Sequence, residues 1–548
     1  MSDVKKQNFI QGTLILSIAI VVVKIFGFLF KIPLINVIGS EGYGHFSVAY
    51  NVYSLLLTIS TGGLPVALSK MIAESEQLGR YNQMNETYKI ARNVLAVLGI
   101  VFALLMIFAS KWVSGIMGDD LAWTSIVALS PAMFFVCFVS AYRGFFQGRA
   151  NMTPTAISQV IEVLSKLFVG LTLAFLVVKV WKKGVDIGSA GAIVGVSLGT
   201  ALSAFYLSYY KNKHYGHEHK ETSDVPEATG VILKKFLYLA IPITISASVM
   251  AIIVLLDNSI LLNVLQNHHH MSNEEAVSIS GIYNAAYTIA NLPVAFMPAI
   301  TSSILPAISA AIVAKNNKQA DFIGNTGLKI ASLLAMPCAA GMYFLADGIM
   351  GVLYFNQSDI AQGGVVMLQY LALVVITYSF VLVSNSILQA HGQVNKTLIS
   401  VLVAGILEVP LEFLLVAKGT VKIFGITIMN QPVLGAPLST VFCAVVILVF
   451  NTIWIKTKVK GSIQLGRIVI KPFICALVMG IVTKLVYKGI MSVLSLSTVS
   501  MMIALVVSIL VAVVVYVVML SVTKCITEEE LEYIPKANIV KKVLRVGK

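Results

Sequence analysis

Lysines stand inside stretches of sequence that are otherwise apolar, and they are the residues best suited to bind an anion. Lys24 and Lys31 are seven residues apart in the first apolar run, so two helical turns would place them on one face, about 10 Å apart. Pro33 follows and is expected to bend or end that helix. The spacing predicts a cationic wall for a phosphate, with Asp257 of the seventh run as a partner for either lysine. The alternative is that Lys31 extends its ammonium group to the membrane surface.

Hydroxyl and amide side chains recur at helical spacing in two other apolar runs. In the second run they are Ser47, Tyr50, Ser54, Thr58 and Thr61. In the eighth run they are Asn284, Thr288 and Asn291. Such stripes predict the walls of one water-filled cavity. The alternative is that they are small polar residues that hydrogen-bond packed membrane helices.

Two acid-bearing pairs lie one helical turn apart in later apolar runs. Glu162 and Lys166 of the fifth run are spaced to neutralise each other, which predicts a structural lock or part of a site. Glu408 and Glu412 of the eleventh run flank Pro410 and have no cation on their own helix. They predict either proton or cation coupling, or acids exposed to water at the membrane surface.

No pattern in the chain predicts catalysis or a bound metal. The cysteines have neither metal nor disulfide spacing and are expected to be packing residues; they are Cys137, Cys338, Cys443, Cys475 and Cys525. Histidines cluster in two loops, at 214, 217 and 219 and at 268–270, without the cysteines or acids that would complete a metal site. There is no phosphate-binding loop and no nucleophile motif. We therefore expect no enzyme and no cofactor, and leave a coupling ion open.

The composition places these residues in a membrane. The 548 residues are 57% hydrophobic and only 12% charged, against about 25% charged in soluble domains. Apolar runs of about twenty residues recur, and helices are the structure that satisfies their backbone in lipid. We predict an all-α polytopic membrane protein of about fourteen transmembrane helices, near residues 10–37, 43–72, 88–110, 122–147, 153–180, 187–210, 236–263, 278–312, 326–346, 363–389, 396–417, 432–455, 468–487 and 498–522.

Positive charge is distributed unequally between the two sets of loops. Lysines and arginines number 28 in the loops on one side of the predicted helices and 7 on the other. Because cytoplasmic loops collect these residues, the bias predicts a multi-pass protein of the cytoplasmic (inner) membrane with both termini cytoplasmic. This distribution explains the net charge of +14 without a nucleic-acid partner.

An internal repeat divides the chain. Residues 147–158 and 389–400 align without gaps at an offset of 242, with Gln, Thr, Ile and Ser identical. An offset of six predicted helices preserves their orientation and predicts two parallel six-helix lobes with a substrate site at their interface. The predicted division is an N-lobe at 1–210, a cytoplasmic linker at 211–235, a C-lobe at 236–458, two C-terminal helices at 459–523 and a cytoplasmic tail at 524–548.

Two motifs indicate a family. The first reads EGYG at 41–44, AY at 49–50 and GLPVALSK at 63–70; the second reads RGFFQG at 143–148 and MTPTAISQVIE at 152–162. Together they resemble the stage V sporulation protein B family, a Gram-positive branch of the MOP superfamily that is similar to MurJ-type lipid II flippases. The resemblance covers most of the chain and is strongest in residues 11–170.

The resemblance implies two six-helix lobes forming a V around a central cavity, and two final helices that form a groove for a lipid tail. By the same resemblance Lys24 matches a cavity arginine of the first helix, and Thr288 stands at an arginine position of the eighth. The branch commonly has arginine at Lys166, so the charge is kept there. The residues expected to have structural or gating roles are Arg143, Gln147, Glu162, Lys166 and Glu408.

The resemblance implies a flippase that moves a cell-wall precursor linked to undecaprenyl diphosphate, first of all lipid II, and the parallel lobes predict that it works by alternating access. The expected partners are this lipid-linked saccharide, membrane lipids and cell-wall synthesis machinery. The alternatives are a flippase for another lipid-linked saccharide and an antiporter of small cations of the MATE type. The antiporter predicts twelve helices and an acidic cavity, whereas a membrane enzyme predicts clustered catalytic acids or a large extramembrane domain.

Overall fold

The computed structural model describes residues 9–215, 224–423, 426–459, 466–494 and 497–525. These residues are helical except for connecting turns and one short β-hairpin. The chain forms two compact units, Met1–Gly281 and Ile282–Lys548. The prediction of an all-α protein is confirmed, with the hairpin as a small addition.

The first unit is built around α5, which packs against α1, α2, α3 and α8. Its helices are α1 Phe9–Thr61, α2 Leu64–Gln77, α3 Tyr81–Phe108, α4 Ser110–Met117, α5 Trp123–Gly148, α6 Thr153–Ser165, α7 Leu171–Phe175, α8 Val185–Tyr215 and α9 Thr229–Asn267. Two π-helical turns, Lys166–Gly170 and Leu176–Val180, flank α7. Leu68, Phe145 and Phe146 are among the buried residues of its core. A tenth helix, α10 Asn273–Val294, begins in this unit and ends in the second.

A single glycine places a kink inside the long helix α1. In α1, Gly39 has φ 73°, a left-handed conformation that residues with a Cβ rarely adopt. It therefore divides the 53-residue helix into two parts that meet at a kink. The first two predicted membrane helices are these two parts, and α2 continues the second after a break at Gly62 and Gly63.

The second unit packs α12 against α14, α17 and α11. Its helices are α11 Met297–Val313, α12 Asn317–Phe344, α13 Ala346–Leu353, α14 Ser358–Ala390, α15 Val394–Lys418, α16 Gly435–Trp454, α17 Lys471–Val493 and α18 Thr498–Val522. Between α15 and α16, the antiparallel strands β1 Val421–Ile423 and β2 Ile426–Met429 form the hairpin. Their β-branched residues favour extended backbone over helix.

Twelve continuous stretches of described helix are long and apolar enough to cross a membrane. One of them, Ile18–Gln77, has 60 residues, far more than the roughly twenty that one crossing needs. The predicted eighth helix is divided between α10 and α11, with a break at residues 295–296. The fold is that of a multi-pass helical membrane protein, and the number fourteen stays a prediction.

The repeat seen in the sequence has a counterpart in backbone geometry. Ala150 and Gly392, 242 residues apart, both have positive φ, at 52° and 72°. The next residue in each turn, Asn151 or Gln393, donates its N–H to the carbonyl five residues earlier at 2.9 Å. Each turn thus ends one long helix and starts the next in the same way, once in each unit.

The predicted division into lobes stays a prediction. By contacts, α9 groups with the first unit, where it packs against α1, α2 and α3. The division into compact units follows contacts between helices, whereas the predicted lobes follow the repeat in the sequence. Residues 216–223 of the predicted linker, with His217 and His219, and residues 526–548 of the predicted tail lie outside the described residues.

Candidate functional site

Lys166 is surrounded by aromatic rings inside the first unit. Its Nζ lies 4.6 Å from the ring centre of Tyr50, 4.8 Å from that of Phe30 and 5.8 Å from that of Phe46. Phe46 and Tyr50 lie one turn apart on α1 and their rings stack at 5.6 Å. Ring faces attract cations, but they do not neutralise the charge. Within the described residues no carboxylate pairs with Lys166, so its positive charge is available to an anion.

Glu162 pairs with a cation other than the predicted one. Its Oε1 lies 2.9 Å from Nη2 of Arg143, and no ion pair joins it to Lys166 within the described chain. Arg143 also donates from Nε and Nη2 to the Ser158 hydroxyl, at 3.0 and 2.9 Å. The predicted neutralisation of Lys166 by Glu162 is wrong because the planar guanidinium of α5 bridges both acceptors on α6. Gln147, one turn after Arg143, is half-buried and its role stays a prediction.

Three lysines act on the same tyrosine hydroxyl. Lys166, Lys31 and Lys24 all lie close enough to the Tyr50 hydroxyl to interact with it electrostatically. Lys24 is exposed on the first unit, whereas Lys31 and Tyr50 are half-buried. The structure therefore brings the two predicted lysines of α1 to the same part of the unit as Lys166. Their role in binding an anion stays a prediction.

The threonine hydroxyls of the polar stripes donate hydrogen bonds to backbone carbonyls of their own helices. On α1, the Thr58 hydroxyl donates to the carbonyl of Ser54 at 2.8 Å. The Thr61 hydroxyl likewise donates to the carbonyl four residues before it. On α10, Thr288 donates to the carbonyl of Asn284 at 2.9 Å. Such bonds let a hydroxyl sit in an apolar helix without another partner. The stripes belong to different units, so a shared cavity stays a prediction.

The remaining predicted polar residues occupy different environments. Ser47 is buried on α1, and Ser54 is half-buried. Asn291 is exposed near the end of α10, and Asp257 is half-buried on α9. The predicted pairing of Asp257 with a lysine of α1 stays a prediction.

Two carboxyl groups are buried in the second unit. Glu408 and Glu412 on α15 are 1% and 0% exposed, so the alternative that they are water-exposed acids is wrong. The Glu408 carboxyl lies beside Thr440 and Cys443 of α16, and its Oε1 has no hydrogen-bond partner within the described residues. A buried carboxylate is costly unless it is protonated or meets a cation. The predicted role of the pair in proton or cation coupling stays a prediction.

A buried acid–histidine pair was missed by the sequence reasoning. His45 and Asp119 are 1% and 0% exposed, and Nδ1 of the histidine lies 2.8 Å from both carboxylate oxygens. Asp119 Oδ1 also accepts from the N–H groups of Leu121 and Ala122, both at 3.2 Å. Glu41 Oε1 lies 3.6 Å from Nε2 of the histidine. The available signal was that His45 is the one histidine of the chain inside a predicted membrane helix.

Buried ionisable side chains lie within membrane-crossing helices, with His45 in the first unit and Glu408 and Glu412 in the second. The family model for polysaccharide biosynthesis protein matches residues 9–312, and the MatE model matches residues 270–414. The first match covers more than half of the chain. The chain therefore belongs to the polysaccharide biosynthesis protein family, and it is a transporter, not an enzyme.

Two curated relatives and two solved structures agree with this assignment. "Lipid II flippase MurJ" of Bacillus subtilis (strain 168) is 25% identical over 76% of this chain and 79% of its own length. "Stage V sporulation protein B" of the same organism is 25% identical over 86% and 89%. A solved structure of "Lipid II flippase MurJ, inward closed conformation" matches with TM-score 0.67 at 17% identity, over 93% of this chain and 98% of that one. An inward-facing MATE family multidrug transporter of the MOP superfamily matches with TM-score 0.64 at 16% identity, over 82% and 99%.

The structural matches establish the fold, and the family match covers the N-terminal half. The resemblance predicted from the two sequence motifs is confirmed by the family match and by the curated relatives, which are of the MurJ and stage V sporulation protein B kind. The chain is a multi-pass membrane protein.

Proposed function

We propose that this protein flips a saccharide linked to undecaprenyl diphosphate, first of all lipid II, across the cytoplasmic membrane by alternating access. The observation that carries the proposal is the Lys166 ammonium group, which lies on three aromatic rings and has no carboxylate partner among the described residues. A cation so placed inside a membrane helix is costly unless it serves a function. The name of one curated relative, "Lipid II flippase MurJ", supports the same substrate class.

The diphosphate is the part of the substrate that this site suits. Lys24, Lys31 and Lys166 supply positive charge around Tyr50, and charge-assisted hydrogen bonds to phosphate are about twice as strong as neutral ones. The rings stabilise the Lys166 ammonium group when no phosphate is bound. When a phosphate binds, the ammonium group pairs with the phosphate instead. The polyprenyl chain stays in lipid, along α17 and α18. Transport requires that the headgroup bind one conformation more tightly than the other.

The driving force is proposed to be electrical, ionic or both. Moving one elementary charge across the membrane is worth about 2.3 kcal/mol per 100 mV. Glu408 and Glu412 are the proposed binding groups for a coupled proton or metal cation, because their burial favours occupancy by one of these. Both termini are proposed to be cytoplasmic, from the bias of 28 against 7 positive residues between the two sets of loops.

A second candidate substrate is another saccharide on the same lipid carrier. It is supported by the family model for polysaccharide biosynthesis protein, which matches residues 9–312 and names no particular saccharide. The antiporter alternative is favoured by the MatE match to residues 270–414, but a cluster of lysines repels small cations.

The test is flipping by the purified full chain in vesicles. Fluorescent lipid II and a second polyprenyl-diphosphate saccharide are placed in separate vesicles, and the fraction accessible to an outside quencher is followed with time. Protein-dependent flipping of lipid II is expected. Flipping of the second lipid alone would replace lipid II by another saccharide, and flipping of neither, by correctly folded protein, would overturn the proposal.

A further inference from the structure

A second cluster of positive side chains lies on an aromatic surface at one end of the first unit. Lys211 Nζ lies 4.5 Å from the ring centre of Tyr88 and 5.0 Å from that of Phe145. Arg92 lies over the same Tyr88 ring at 6.0 Å. Arg149 lies over the same Phe145 ring at 5.9 Å. The three cations therefore share two neighbouring rings, whose centres are 5.1 Å apart.

The cluster carries more positive than negative charge. Arg149 and Glu76 are each 8% exposed, and their nearest charged atoms are 3.4 Å apart. Within the described residues, Arg92 and Lys211 pair with no carboxylate; Arg92 donates only to the side chain of its neighbour Asn93, at 3.4 Å. Among the residues that the structure describes, three cations thus meet one carboxylate on a half-buried surface, and each cation repels the others. An anion placed among them would relieve that repulsion.

The position of the cluster indicates what kind of anion would reach it. Arg149 follows the last residue of α5, and Lys211 lies in the last turns of α8. Arg92 precedes the apolar part of α3, which begins at residue 94. All three lie where membrane helices leave the apolar layer, on the side that the lysine distribution predicts to be cytoplasmic. Phosphate groups of lipids are concentrated at this depth.

We propose that Arg92, Arg149 and Lys211 form a phosphate-binding site on the first unit, separate from the Lys166 site and suited to the headgroup of an anionic phospholipid. The aromatic surface holds the three cations in place without itself neutralising them, and Glu76 pairs with one of them, Arg149. Arginine provides planar pairs of donors for phosphate oxygens, and lysine adds a mobile charge. The site goes beyond the proposed flipping of a saccharide lipid, and its test does not depend on transport.

The test is lipid binding to the purified full chain in detergent, measured by native mass spectrometry. Dioleoyl-phosphatidylglycerol and dioleoyl-phosphatidylcholine are titrated separately, and inorganic phosphate is added as a competitor. Saturable binding of the glycerol lipid is expected, at least about tenfold tighter than binding of the choline lipid. Loss of bound lipid on adding phosphate would show that the phosphate group alone is recognised; no loss would show that the site needs the whole lipid headgroup at the surface.

Variants separate this site from general attraction of anionic lipid to basic residues. Lys211→Gln is expected to weaken glycerol-lipid binding about tenfold, and Lys211→Arg to retain it. Lys213→Gln is the matched control, because Lys213 lies two residues away, is exposed and contacts a different ring, that of Tyr209, at 5.6 Å. Equal binding by Lys211→Gln and Lys213→Gln, with unchanged melting temperatures, would overturn the proposal.

Discussion

Lys166 and Glu408 occupy equivalent positions of the internal repeat, 242 residues apart, and carry opposite charges. Lys166 lies against three rings in the first unit, whereas Glu408 is 1% exposed beside Thr440 and Cys443 in the second. The turn that precedes each residue has the same backbone hydrogen bonds. One repeat position thus supplies a cation to one unit and an acid to the other, which suits an anionic headgroup and a cationic coupling ion respectively.

The acid in this relationship gives the first prediction. Glu408→Gln keeps the shape of the side chain but removes its exchangeable charge, so flipping is expected to become independent of an imposed proton or sodium gradient. The measurement is the flipping rate in vesicles with and without each gradient. Glu274→Gln, at an exposed acid in the first turn of α10, is the control and should respond like the wild type. A full gradient response in Glu408→Gln would remove Glu408 from coupling.

The Arg143–Glu162 pair gives a prediction about stability. Arg143→Gln loses hydrogen bonds to Ser158 and Glu162, and is expected to lower the free energy of unfolding by about 1–3 kcal/mol. Glu162→Gln should cost less, because its amide oxygen still accepts from the guanidinium group. Melting temperatures of both single variants and the double variant measure the coupling. Strict additivity of the two effects would contradict a direct pair.

The buried His45–Asp119 pair gives a second stability prediction. Asp119→Ala removes the acceptor of His45 and of two backbone N–H groups, and we expect a loss of about 3 kcal/mol. Asp120→Ala, at the exposed neighbouring acid, is the control and should change stability by less than about 0.5 kcal/mol. Thermal unfolding in detergent compares them. Similar melting temperatures for the two variants would show that the pair does not stabilise the fold.

Close helix packing beside Lys166 is also testable. A Cβ at Gly195 of α8 would lie less than 3.0 Å from backbone atoms of Gly170, in the π-helical turn that begins at Lys166. Gly195→Val is therefore expected to cost about 1–3 kcal/mol by overpacking. Gly489→Ala on α17 meets open space and should be neutral or stabilising by up to about 1 kcal/mol. A melting temperature unchanged by Gly195→Val would mean that α8 does not approach the turn so closely.

Much of the fold was predictable because its causes are local in sequence. Long apolar runs must be helices in lipid, and a lysine such as Lys166 inside a run is conspicuous by its cost. The offset between residues 147–158 and 389–400 predicted the repeat, and the turns at Ala150 and Gly392 share its geometry.

Side-chain partners were less predictable because they depend on directions that spacing does not fix. Glu162 and Lys166 have the spacing of a pair, yet the guanidinium group of Arg143 on a neighbouring helix binds the acid. His45 and Asp119 are 74 residues apart, so no local pattern connects them. The number of membrane crossings also depends on breaks, such as those at Gly62–Gly63 and at residues 295–296, which hydropathy does not resolve.

The most direct test of the central claim is the affinity of the full chain for undecaprenyl diphosphate, measured for wild type, Lys166→Gln, Lys166→Arg and Lys111→Gln. Lys111 is an exposed lysine on the Trp123 ring at 5.0 Å, so it controls for loss of a cation–π contact alone. We expect Lys166→Gln to bind at least about tenfold more weakly, and the other two variants to bind like the wild type. Equal affinity of folded Lys166→Gln and wild type would contradict the assignment of this lysine to the diphosphate.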